Sequence, residues 1–177
     1  MNSIKDNKAY KEALEFLEEG LKTNKNPKPV GQHSIDVANR LVKYNLGKDV
    51  VIAGLLHDLV EDTDVTLNQI SSRFGEKVAN LVDALTYDVP GYDYIDKFDR
   101  FVKSLEKVMA LGSEALVIVA SDFIENSPYY HLSNSPGLRT YLKEKYEYFM
   151  HKSKQFLQDK PVWNDLMDAY EKYVIKL

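Results

Sequence analysis

The chain has 177 residues, of which 44% are apolar and 28% are charged, and its formal net charge is −4. This length suggests one domain with a single core, and the apolar content excludes a disordered chain. Lysine and arginine are scattered along the sequence rather than massed, which argues against a protein that coats nucleic acid.

The sequence contains no cysteine, which excludes disulfides, thiolate metal sites and a cysteine nucleophile. The first residues lack the apolar segment typical of a signal peptide, and no apolar run approaches the ~18 residues of a membrane span. We therefore expect a cytoplasmic protein with neither a membrane nor a nucleic acid as partner. The sequence does not indicate an oligomeric state.

Helical periodicity runs through the chain from one end to the other. Loops containing Pro or Gly interrupt it at 23–31 and at 87–96. No alternating strand pattern persists, although the β-branched residues within 115–121 would also allow a short strand. We predict a single all-α domain over residues 1–177, with a core at about 30–130 and C-terminal helices at about 136–177. The predicted helices cover approximately residues 7–22, 33–44, 49–62, 63–74, 76–85, 97–111, 113–126, 136–159 and the segment from 161 onwards.

The stretch 54–63 carries the side chains best suited to metal binding or catalysis. On one predicted helix, apolar residues form a stripe and four polar residues share the opposite side: His57, Asp58, Glu61 and Asp62. His57 and Glu61 lie one turn apart, as do Asp58 and Asp62. Because an imidazole beside a carboxylate suits a divalent cation, the pattern indicates a metal site. A solvated acidic helix face is the alternative interpretation.

Two further residues are candidate ligands. His33 lies near the start of a predicted helix, where the positive end of the helix dipole disfavours the imidazolium and so favours the neutral ring that binds metals. Asp122 follows the apolar run 115–121, and a buried carboxylate costs several kcal/mol unless it is paired or bound to a metal. The alternatives are a hydrogen-bonded histidine and, for Asp122, a helix cap or an arginine partner.

Taken together, these residues resemble a known series. His33, the stretch GLLHDLVEDTDVT at 54–66 and the stretch SDFIEN at 121–126 are similar to the H…HD…D series of the HD-domain metal-dependent phosphohydrolases. Within that family they look most like the hydrolase domain of the RelA/SpoT-type alarmone enzymes and their small stand-alone relatives. Phe74-Gly75 agrees with that group as well, and the resemblance covers roughly residues 32–126.

Some positions depart from the usual pattern of that group. Ser34 stands where the group usually has proline after the first histidine. Ser121 and Phe123 flank Asp122 where the group often has alanine and a basic residue. These departures concern the surroundings of the expected ligands, not the ligands themselves.

The resemblance implies an all-helical fold and one divalent cation, usually manganese. It implies hydrolysis of the 3′-pyrophosphate of the nucleotide (p)ppGpp, with Glu61 and Asp62 orienting the attacking water and moving its proton. It also implies that Asn126, one turn beyond Asp122, hydrogen-bonds the sugar or phosphate of the substrate. The implied metal ligands are His33, His57, Asp58 and Asp122.

The loop at 22–28 is basic, and we expect Lys25 and Lys28 to flank the mouth of a cleft and attract a polyphosphate. A merely solvated linker is the alternative. For the whole protein, two other functions stay open: an HD-type nucleotidase or phosphodiesterase acting on another nucleotide, and a non-catalytic nucleotide-binding module. The Glu61–Asp62 pair argues against the binding module, because binding alone does not need an acid/base pair.

Overall fold

The structure is a computed structural model that describes residue 4 and residues 7–26, 30–87 and 94–177, without the side chains of 30 and 94–96. Within these ranges every regular element is helical and no strand occurs, which confirms the predicted all-α fold. No described helix combines the length and apolarity needed to cross a membrane.

Contacts within the chain group its residues into two compact units, 1–86 and 87–177. The prediction of one domain over the whole chain stays a prediction.

Local signals in the sequence explain where helices of the first unit begin. Asn7 caps the first helix by accepting a hydrogen bond from the amide of Ala9. Thr66 and Gln69 form a reciprocal capping box at the start of a later helix. The elements are α1 (Lys8–Gly20), a 3-10 turn (Leu21–Thr23), α2 (Val30–Lys43), α3 (Lys48–Leu56), α4 (Leu59–Asp62), α5 (Leu67–Phe74) and α6 (Glu76–Leu85).

Helix α3 forms the centre of the first unit. Residues 50–56 are all buried, so this helix is apolar on every side rather than on one stripe. It packs against α1, α2 and α6. The residues that follow α3 are therefore held by a rigid, fully enclosed helix.

The predicted continuous helix over 49–62 is wrong in one respect, because a turn at His57 and Asp58 separates α3 from α4. Both residues keep right-handed helical backbone angles, so the chain runs on with little change of direction. The Nδ1 atom of His57 lies 2.8 Å from the carbonyl oxygen of Gly54. In a continuous helix that carbonyl accepts from the amide of residue 58, so the side chain competes with the backbone.

Two helices of the second unit begin at proline. Pro136 and Pro161 are the first residues of their helices, a position that proline favours. Residues 115–121 are helical and buried, so the helix prediction for this run is confirmed over the strand alternative. The elements are α7 (Tyr94–Leu111), α8 (Ser113–Asn126), a 3-10 helix (Ser127–Leu132), α9 (Pro136–Leu157), α10 (Pro161–Ala169) and a π turn (Tyr170–Val174).

An aromatic cluster in the second unit packs around the side-chain ammonium of Lys145. The rings of Phe123 and Phe149 stack with their centroids 5.0 Å apart. Lys145 is 9% exposed, and its Nζ lies 4.9 Å from the Phe123 ring centroid and 5.3 Å from that of Phe101. It also donates a hydrogen bond to the Tyr87 hydroxyl. These cation–π contacts and the hydroxyl compensate for removing the ammonium from water.

Gly54 lies where α2 crosses α3. A Cβ atom built at this position would clash with the side chain of Leu41, and it would lie 3.6 Å from Cγ1 of Val37. Both neighbours are fully buried and cannot move away freely. The absence of a side chain at residue 54 therefore sets how closely α2 approaches α3.

We predict that Gly54→Ala destabilises the protein by about 1–3 kcal/mol, because the added methyl group overpacks this crossing. Urea unfolding followed by circular dichroism measures the change. Gly47→Ala is the matched control, since a Cβ there meets nothing within 4 Å. Equal unfolding midpoints for the two variants would contradict the close-approach argument.

Candidate metal centre and neighbouring acidic pair

Two histidines and one carboxylate meet in the first unit. His33 lies in the first turn of α2, and His57 and Asp58 form the turn between α3 and α4. One ligand atom from each residue can be chosen so that all three lie within 4.8 Å of one another. Among the described residues, this group is the one found with side chains able to hold a metal ion. The structure thus brings together three of the four predicted ligands.

The hydrogen bond of His57 determines which ring nitrogen can bind a cation. Only a protonated Nδ1 can donate to the carbonyl oxygen of Gly54, which lies 2.8 Å away. In the neutral ring the lone pair is then on Nε2. Because His57 is only 6% exposed, this tautomer is fixed inside the protein rather than by solvent.

Asp58 faces both histidines. Its Oδ1 lies 3.0 Å from Nε2 of His57, and its Oδ2 lies 3.8 Å from Nε2 of His33. The two imidazole rings meet edge to face with centroids 5.4 Å apart. A lone pair on Nε2 and a carboxylate oxygen repel each other at 3.0 Å unless a proton or a cation lies with them. The donor set therefore fits a divalent cation that accepts mixed nitrogen and oxygen ligands.

The acidic pair lies on α4, directly beyond the cluster. The backbone amide of Asp62 donates to the carbonyl oxygen of Asp58 at 2.9 Å, so the two residues are one turn apart as predicted. Glu61 is half-buried on the same short helix. The side-chain amide of Asn26 contacts both carboxylate oxygens of Asp62, at 3.1 and 3.2 Å. The catalytic roles of Glu61 and Asp62 stay predictions.

A short segment, the 23–26 strap, crosses the end of α4. The amide of Lys25 donates to the carbonyl oxygen of Asp62 at 2.7 Å. The Lys25 ammonium lies 2.5 Å from the carboxylate of Asp64, whose amide donates to the hydroxyl of Thr23 at 3.0 Å. Lys25 is thus a partly exposed member of an ion pair, and its predicted role in binding substrate stays a prediction. Lys28 lies outside the described residues.

In the second unit, Asp122 lies half-buried near the end of α8. Its Oδ1 accepts a hydrogen bond from the side-chain amide of Asn126 at 2.6 Å. Burial, and then the charge of Asp122, raise the pKa of the Tyr130 hydroxyl well above its usual value. The Tyr130 hydroxyl therefore stays protonated at neutral pH and well above it. The predicted roles of Asp122 as a ligand and of Asn126 as a substrate contact stay predictions.

Sequence reasoning missed two partners of the acidic and metal-binding residues. The contact of Asn26 with Asp62 joins positions 36 residues apart, and no local pattern signals it. The Gly54 carbonyl as partner of His57 was accessible, because a side chain three residues further along a helix can reach that carbonyl.

Comparisons with known proteins agree with this picture. Residues 9–89 match the family model described as the HD domain. The chain is 42% identical over 76 residues to a guanosine-3′,5′-bis(diphosphate) 3′-pyrophosphohydrolase of Aquifex aeolicus, covering 42% of this chain and 11% of that protein. It is 40% identical over 105 residues to a protein of Synechocystis named as a probable enzyme of that kind, covering 58% of this chain and 14% of the relative. The chain thus spans only a small part of these relatives.

Solved structures show the same fold over most of the chain. A metazoan ortholog of SpoT, described as hydrolysing ppGpp, superposes with a TM-score of 0.70 at 21% identity, covering 94% of this chain and 96% of that one. A Listeria monocytogenes EGD-e protein superposes with a TM-score of 0.65 at 26% identity, covering 78% of this chain and 96% of that one. At 21% identity, the first likeness shows the fold alone.

We predict that divalent cations stabilise the metal-free protein, because the folded chain brings His33, His57 and Asp58 together and the unfolded chain does not. At a manganese concentration of 100 times the dissociation constant, the melting temperature should rise by roughly 5–10 °C. Differential scanning fluorimetry after chelation measures this rise.

Asp58→Ala should abolish the rise, since it removes the carboxylate that faces both histidines. The control is His151→Ala, which removes an exposed histidine of α9 and should leave the rise unchanged. An identical rise in wild type and Asp58→Ala would place the stabilising cation elsewhere.

Proposed function

We propose that this chain is a metal-dependent phosphohydrolase, with (p)ppGpp 3′-pyrophosphohydrolase as the leading reaction, since its residues 9–89 match the HD-domain family model. One observation carries the proposal: a His-His-Asp cluster stands directly before an intact acidic pair on the next helical turn. The names of the Aquifex and Synechocystis relatives support the choice of substrate.

The proposed metal ligands are His33, His57, Asp58 and Asp122, and the proposed cation is manganese. Two imidazoles with two carboxylates make a mixed donor set, which suits manganese or iron better than a closed zinc site. The contacts of His33, His57 and Asp58 support their assignment. That of Asp122 rests on the motif and on the half-buried position of its carboxylate, which accepts a hydrogen bond from Asn126.

When bound, such a cation supplies Lewis acidity toward water and a phosphoryl oxygen. The chain contributes proton transfer and orientation. Glu61 and Asp62 orient the attacking water and accept its proton as its oxygen bonds to phosphorus. The bond between that phosphorus and the ribose 3′-oxygen breaks, and the returned proton leaves on the 3′-hydroxyl. The products are pyrophosphate and GDP or GTP.

Substrate contacts are proposed for Asn126, Lys25 and Lys28. One N–H of the Asn126 amide is engaged with Asp122, so its carbonyl oxygen and second N–H suit a ribose hydroxyl or a phosphate. Lys25, whose side chain is 58% exposed, adds positive charge that attracts a polyphosphate. The ion pair with Asp64 makes this an electrostatic contribution at the protein surface, which salt weakens.

A nucleotide panel separates the three candidate functions. Purified protein is assayed with (p)ppGpp, nucleoside monophosphates and dinucleotides, each with manganese and with chelator. Release of pyrophosphate from (p)ppGpp that requires the cation supports the proposal. Turnover confined to another nucleotide supports the nucleotidase or phosphodiesterase. Binding without turnover of any nucleotide supports the non-catalytic module.

We predict that Glu61→Gln and Asp62→Asn each lower turnover by roughly 10²–10⁴-fold while most of the bound metal is kept. Each change removes a proton acceptor and preserves the size of the side chain. Single-turnover rates on (p)ppGpp, measured beside metal content, provide the test.

His57→Ala is the comparison variant, and it should lose metal and activity together. If both amide variants kept full activity, the proposed acid/base role would be incorrect. If they lost as much metal as His57→Ala, the pair would belong to the metal site instead.

A further inference from the structure

Asp62 has an unusual partner for a residue expected to move protons. The Nδ2 atom of Asn26 lies 3.1 Å from one carboxylate oxygen of Asp62 and 3.2 Å from the other. The amide nitrogen therefore lies about equally close to both carboxylate oxygens and restricts rotation of the carboxylate. The contact crosses from the strap that follows α1 to the end of α4.

The backbone of Asn26 is itself held in place. The side chain of Asn24 accepts from the amide of Asn26 at 2.9 Å and donates to its carbonyl oxygen, also at 2.9 Å. The neighbouring amide of Lys25 donates to the carbonyl oxygen of Asp62 at 2.7 Å. Both sides of the contact are thus fixed by hydrogen bonds that do not involve the Asn26 side chain. A side chain on such a supported backbone can hold its partner in one orientation.

An amide differs from a cation in what it does to a carboxylate. It restricts orientation by hydrogen bonding but adds no countercharge, whereas lysine or arginine would oppose the negative charge directly. The one cation of the strap, Lys25, instead has its ammonium at the carboxylate of Asp64. In the strap, the neutral amide of Asn26 therefore contacts Asp62, and the positively charged ammonium of Lys25 contacts Asp64.

We infer that Asn26 is a positioning residue: it holds the Asp62 carboxylate in the orientation used for proton transfer. The inference rests on the proposed function of Asp62 and adds a residue outside the motif 54–66. It also assigns a function to the strap, which the sequence suggested only as a source of lysines.

The test compares Asn26→Ala with Thr23→Ala. Asn26→Ala removes the contact of the strap with the Asp62 carboxylate on α4, whereas Thr23→Ala removes the bond of the strap to the amide of Asp64, just beyond α4. Asn26→Ala should lower kcat for (p)ppGpp about 10–100-fold, the usual effect of losing a partner that orients an active-site group. KM and metal content should change less than about twofold. Thr23→Ala should lower the melting temperature while kcat stays within about twofold of wild type.

A double-mutant cycle tests whether Asn26 acts through Asp62. In the Asp62→Asn background, Asn26→Ala should cause no further loss of kcat, because the carboxylate it orients is absent. A full additional loss in that background would overturn the inference. So would equal losses of kcat in Thr23→Ala and Asn26→Ala, since the strap as a whole would then be responsible.

Thermal unfolding of the metal-free proteins provides a readout that does not depend on turnover. Asn26→Ala and Asp62→Asn should each lower the melting temperature by roughly 2–6 °C, and the double variant by no more than the larger single change. This non-additivity supports the pairing even if no nucleotide is hydrolysed, in which case the proposed function alone fails. Additive shifts would overturn the inference and leave the proposed function standing.

Discussion

The hydrogen bond between Nδ1 of His57 and the Gly54 carbonyl is the interaction on which the candidate site depends. It ends α3, fixes the tautomer of the imidazole and leaves Nε2 facing Asp58. Gly54 supports the site in two ways: its carbonyl oxygen accepts the hydrogen bond of His57, and its lack of a side chain lets α2 approach α3 closely. That approach brings His33 beside the other two residues. One glycine thus supports the position of both histidines.

Around this centre the fold separates rigid parts from adjustable ones. The cluster stands at the end of α3, whose residues 50–56 are buried on every side. The acidic pair lies on the single turn of α4, which buries Leu59 and is linked to the strap through Asp62. We infer that cation binding is built into the core. The carboxylate of Asp62, in contrast, is held by the part-buried side-chain amide of Asn26, a contact that a single substitution can remove.

Much of the fold was predictable from the sequence because the relevant signals are local. Apolar periodicity, interrupted by loops that contain Pro or Gly, predicted helices close to those observed. The one-turn spacing of Asp58 and Asp62 is likewise set by the helix itself. Resemblance to a family supplied an expectation that spacing could not: that the distant His33 lies with the HD pair.

The remaining features could not be predicted because they depend on contacts between distant segments. The turn at His57 requires a side chain to compete with the backbone, and propensity alone favours the continuous helix. The ion pair of Lys25 with Asp64 and the contact of Asn26 with Asp62 join positions 39 and 36 residues apart. Their formation depends on how α1 packs against the end of α4, where Gly20 lies closely against Leu59 and Val65.

The central claim is that His33, His57 and Asp58 bind one divalent cation, with His57 using Nε2. Anomalous diffraction from manganese-soaked crystals tests it most directly. We predict one strong peak within about 2.0–2.4 Å of the two Nε2 atoms and of an Asp58 oxygen. A peak on Nδ1 of His57, or no peak at these three residues in a well-ordered crystal, would contradict the account.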